Sequence, residues 1–173
     1  MSIDSILDRD FYKRVVAISE NARLIAEKKS PLNIDTHHTH TNAVECFFQK
    51  QYLATVFFAS VGVETYLNKT LKGQKWKCLN SKSIMEAYKA GITAVDELLD
   101  ASEQSVLQTG KPTPIFCKRR NKILHGDITG LVKIKALEVE YIKTELGSSF
   151  AIISFLTSAY DQLFKFQKFL LKI

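Results

Sequence analysis

The chain has 173 residues, of which 46% are hydrophobic and 24% charged, with a net charge of +6 and a pI of about 9.2. That length is enough to bury a core within one domain, residues 1–173, and the basic balance is compatible with a polyanionic partner. Seven glycines and three prolines supply little turn material and argue against a many-stranded sheet. Cys46, Cys78 and Cys117 have neither disulfide-framework nor metal-type spacing and read as free thiols in a reducing cytoplasm. The charged opening "MSIDSILDRD" does not resemble a secretory segment, and Gln49, Gln51, Glu64 and Asn68 interrupt the best membrane-spanning candidate. A soluble, cytoplasmic, all-α protein without a membrane partner is the expectation.

In chain order, Ile3, Ile6, Leu7, Val15, Ile18, Ala22 and Ile25 recur at helical steps and predict a first helix over 3–29, ended by Ser30-Pro31. Residues 30–42, "SPLNIDTHHTHTN", read as a polar connection. Residues 43–71 are apolar nearly all round, which predicts a central, buried helix. Ser83 and Glu86 match a capping box, so a third helix is expected from 83 to about 107, with Gly91 as its weak spot. Thr113-Pro114 predicts a fourth helix over 114–125, closed by Gly126. Residues 127–147 carry both alternating and helical spacing, with a helix favoured from about 135 to 146. A last amphipathic helix, capped by Ser148 or Ser149, buries Ile152, Phe155, Leu156, Ala159, Leu163, Phe166 and Leu170. The sum is a bundle of about five helices.

The segment "KRRNKILHGD", Lys118 to Asp127, admits two readings. Basic residues before glycine are an ordinary helix stop, because they offset the negative end of the helix dipole. The same residues could also do chemistry. Asn121 and His125 lie about 40° apart on a helix, so the amide could steady the imidazole. Arg120 lies about 140° from His125 and reaches it only through its long side chain, distortion of the last turn, or a second subunit. Ile123 and Leu124 are expected to anchor the segment in the core. Histidine as proton carrier and arginine on the nonbridging oxygens suit RNA phosphodiester cleavage without a metal or other cofactor. Lys118, Arg119 and Lys122 would steer the RNA backbone.

Other residues carry alternatives of the same kind. His37, His38 and His40 invite a metal site, but their spacing matches no helix-face ligand pair, and a solvated loop is the expectation. Glu64 is either buried against Arg120 or another basic residue, or faces solvent. The aromatic residues of the second and last helices read as core rather than as base-stacking platforms, and Trp76 among Lys72, Lys75 and Lys77 is a candidate exposed contact.

Arg120-Asn121-Lys122-Ile123-Leu124-His125 resembles the R-x4-6-H signature of HEPN domains, and Phe47 to Leu71 resembles the long HEPN helix with an internal glutamate, here Glu64. The resemblance implies an up-and-down helical bundle that forms a homodimer, with two motifs facing each other across one composite cleft. It further implies metal-independent endoribonuclease activity in toxin–antitoxin, phage-defence or RNA-processing systems, with RNA as substrate and an antitoxin or defence-system protein as partner. Arg120 and His125 would be the catalytic pair and Asn121 their support. The branch modified by nucleotidyltransferases has a tyrosine two residues after the histidine. This chain has Asp127 there, which would place negative charge beside the site.

Overall fold

A computed structural model describes residues 3–29, 32–71, 79–126 and 145–173. All regular elements among them are helical. The long helices are α1 (Ile3–Ala26), α2 (Ile34–Phe48), α3 (Tyr52–Thr70) and α7 (Glu145–Lys172). Between them come α4 (Ser81–Lys89), 3-10 turns at Thr93–Leu98 and Ala101–Glu103, α5 (Val106–Thr109) and α6 (Ile115–Leu124). No described helix is long and apolar enough to cross a membrane.

The first departure from expectation is α2. Residues 34–42 belong to a helix, not to a polar connection. The Asn33 side chain caps it by accepting the Thr36 N–H at 3.0 Å, and Asp35 lies in the first turn, where the dipole favours negative charge. Its buried stripe is Thr36, His40, Ala43 and Phe47. The spacing is helical, but half of the stripe is polar by residue type, so hydropathy hides it.

The second departure is a break in the expected 43–71 helix. Gln51 donates to the Cys46 carbonyl at 2.8 Å and Lys50 to the Phe47 carbonyl at 3.0 Å, a paired termination with Lys50 left-handed at φ 58°. Glycine normally fills that place. α2 and α3 therefore form a hairpin, and the central element is the shorter α3. It packs against α2, α6 and α7, and none of residues 52–68 is exposed.

The third helix also ends early. Asn80, not Ser83, is the N-cap, with Ser83 as its reciprocal partner. Gly91 takes φ 93°, and Ile92 donates back to the Ala87 carbonyl at 3.0 Å, so the weak spot at Gly91 is the helix end. Residues 93–109 continue as short turns. α6 begins one residue after the expected position, with Pro114 as N-cap. The expected helix over 135–146 lies almost wholly outside the described residues.

α7 ties the bundle together. Leu156, Ala159, Leu163, Phe166 and Leu170 are buried as expected, joined by Phe169. It runs parallel to α3, as the pairs Ser60–Gln162, Gly62–Phe166 and Tyr66–Phe169 progress together. α2 is antiparallel to it, with Phe47 against Tyr160 and His40 against Phe166.

Candidate functional site

α6 carries the basic segment, and buried polar contacts set its position. No side chain at its own start caps it. The Glu103 carboxylate, itself buried, instead accepts the Ile115 N–H at 2.7 Å and, through its other oxygen, the Asp100 N–H at 3.1 Å. A carboxylate suits this place because the helix N-terminus presents unpaired donors and positive potential. At the next residue, the Gln162 amide donates to the Phe116 carbonyl at 2.9 Å and to Ser60 Oγ at 2.8 Å, pinning α6 to α7 and α3.

Phe116 and Cys117 are fully buried, so the inward face of α6 passes through 116 and 120. Arg120 accordingly points at α3. Its Nη2 donates to Glu64 at 3.1 Å, and its Nη1 donates to Asn121 Oδ1 at 3.2 Å. The two ion-pair side chains are only 11% and 12% exposed. Glu64 Oε1 also accepts the Leu79 N–H at 2.6 Å. Of the two alternatives for Glu64, burial against Arg120 is the one observed. The pair is stable there because Glu64 also satisfies a backbone donor, which offsets desolvation of the carboxylate.

His125 occupies the C-terminal cap of α6 and is exposed. Its N–H donates to the Asn121 carbonyl at 3.0 Å, and Gly126 follows in the left-handed conformation at φ 69°. The helix stop is therefore built as expected. Asn121 meets His125 through its backbone, while its side-chain oxygen serves Arg120.

The three cations expected to steer RNA differ in setting. Lys118 is exposed. Arg119 is ion-paired with Asp161 of α7, which also holds Lys165 at 3.4 Å, and Lys165 reaches Asp100 at 2.8 Å. Lys122 is half-buried. Ile123 packs against the core, but Leu124, the last residue of α6, is 48% exposed and does not anchor the segment. Asp127 lies outside the described residues, as do Trp76 and Cys78.

The histidine tract separates on α2. His37 and His38 are exposed, while His40 is buried. Among the described residues no three His, Cys, Asp or Glu side chains converge as a metal site. Glu103, Asp161 and Gln162 are positioning residues that hydropathy patterns pass over. Gln162 alone leaves a trace in the sequence, as a polar residue inside the apolar face of α7. Comparison with protein-family models, curated proteins and solved structures finds no match to this chain.

Proposed function

We propose that the chain is a metal-independent endoribonuclease of the HEPN type, acting as a homodimer in the cytoplasm. The observation that carries this reading is that one helix carries an exposed His125 at its capped end and, five residues earlier, an Arg120 whose guanidinium is held by Glu64 of α3 and by Asn121. In this reaction His125 takes the proton of a 2'-hydroxyl, whose oxygen attacks phosphorus. The P–O5' bond breaks, and the leaving oxygen receives a proton from the His125 of a second copy. The products are a 2',3'-cyclic phosphate and a 5'-hydroxyl. Arg120 supplies fixed positive charge beside the pentavalent phosphorus. An antitoxin or defence-system protein is the class of partner this reading entails.

A second reading has its own support. Arg120 is largely enclosed by Glu64 and Asn121, as a structural ion pair would be, and this favours a non-catalytic HEPN module that dimerises or binds a partner. One assay separates the two. Structured RNA is incubated in chelator with wild type and His125→Ala, and the ends are analysed. The expected result is chelator-resistant cleavage to cyclic-phosphate ends that falls at least about 100-fold in the variant. Equal cleavage by both proteins, or none by either, removes the catalytic reading and leaves the module.

A further inference from the structure

The three cation–π contacts of the described residues all meet one row of aromatic rings. Lys50 Nζ lies 4.9 Å from the Phe11 centroid, Arg14 Cζ 4.9 Å from Tyr160, and Lys168 Nζ 5.3 Å from Phe164. The rings themselves are continuous. Phe11 and Tyr160 both pack on the fully buried Phe47, with centroids 5.7 Å and 6.4 Å away, and Tyr160 stacks on Phe164 at 5.4 Å and 27°. Such contacts occur about once per 70–80 residues, so three are ordinary in number, but here all three fall on rings linked to one another through Phe47.

Except at the fully buried Phe47, the row is partly open to solvent. Lys50 and Lys168 are exposed, and Phe11, Tyr160 and Phe164 are only half-buried. Asp10 pairs with Arg14 at 2.9 Å and Asp8 approaches Lys50 at 3.7 Å. The Arg14 side chain is only 19% exposed, whereas the Lys50–Asp8 pair is exposed on both sides, contributes little and is readily exchanged for a phosphate. Tyr160 directly precedes Asp161, the residue that holds Arg119 of α6.

We propose that the Lys50–Phe11–Tyr160–Phe164–Lys168 row, with Arg14, is a binding surface for single-stranded RNA. Cations spaced along aromatic rings match a strand that offers phosphates and unstacked bases together, which a duplex does not. The proposal goes beyond the cleavage reading and is measured apart from it, on full-length His125→Ala protein.

The test is fluorescence anisotropy with a short labelled oligouridylate over a salt series. Adding Lys50→Gln and Lys168→Gln should raise Kd at least about fivefold and reduce the salt slope by about 0.7 for each phosphate that is no longer neutralised. Tyr160→Leu should weaken binding with little change in slope, with Phe164→Leu as the second aromatic variant and thermal melting as the check on folding. Absence of binding at low salt overturns the proposal. So does equal affinity for a duplex, or lysine variants that keep both affinity and slope. Intact binding by a wild type that cleaves nothing would remove only the cleavage reading.

Discussion

Two single side chains show how a polar group inside this bundle acquires its meaning from its partner. Glu64 is enclosed because Arg120 and the Leu79 N–H satisfy it from two directions. His40 is enclosed as a neutral ring. Its Nε2 lies 3.1 Å from the Gln167 amide nitrogen, which also donates to the Ile18 carbonyl, and the ring meets Phe166 edge-on. An acceptor Nε2 requires the Nδ1–H tautomer. Burial, and then the charge of His37, lowers the His40 pKa from 6.5 to about 4. The folded value lies below the unfolded one, so the unfolded chain binds the extra proton between them. The stability is fully present above about pH 6.5 and is lost as pH falls towards 4. Between pH 7 and 4 the wild type should lose about 3 kcal/mol more than His40→Gln, read from urea denaturation at each pH. Parallel pH profiles for the two proteins would contradict this origin.

Helix ends and helix contacts follow a similar rule. α2 stops at a lysine in the left-handed region, where the chain also gains the contact of Lys50 with Phe11. α3 and α7 approach closely because residue 62 is glycine. A β-carbon there would stand 2.7 Å from Phe166 Cε1 and 2.9 Å from Thr39 Oγ1. Gly62→Ala should therefore destabilise the fold by about 1–3 kcal/mol through overpacking, despite the better helix propensity of alanine. Adding Phe166→Leu should restore part of that loss, since it removes the ring edge the new methyl meets. Strictly additive losses in a double-mutant cycle would show that the two positions do not share this contact.

The assembled molecule presents its functional groups on an inner frame of polar anchors. Glu103, Gln162 and Asp161 hold α6 at its start, its first turn and its middle, and Glu64 holds Arg120 from α3. His125 is left at the exposed end. On the proposed reading one such end is half of a cleft, and a second copy completes it. Specific activity should then fall on dilution below the dimer dissociation constant, checked by measuring cleavage and sedimentation over the same concentrations. A monomer with full specific activity would rule out the composite cleft.

Much of the architecture was legible from local signals. The apolar period of α7, the proline and glycine that bracket α6, and the buried character of α3 each depend on residues within a few turns of one another. The stop at Gly126 was equally legible, since a left-handed glycine after a basic turn is a local event. Tertiary structure alone decided the rest. His40 is a core residue only because α7 closes over it, where Phe166 meets its ring and Gln167 gives it a partner. Arg119 is a structural cation because Asp161 lies across from it, and Arg120 turns inward because Glu64 waits on a helix far away in sequence. A polar side chain carries no record of whether it will be paired or solvated. Its burial becomes tolerable only when a partner from a distant element satisfies it, and that juxtaposition exists only in the folded chain.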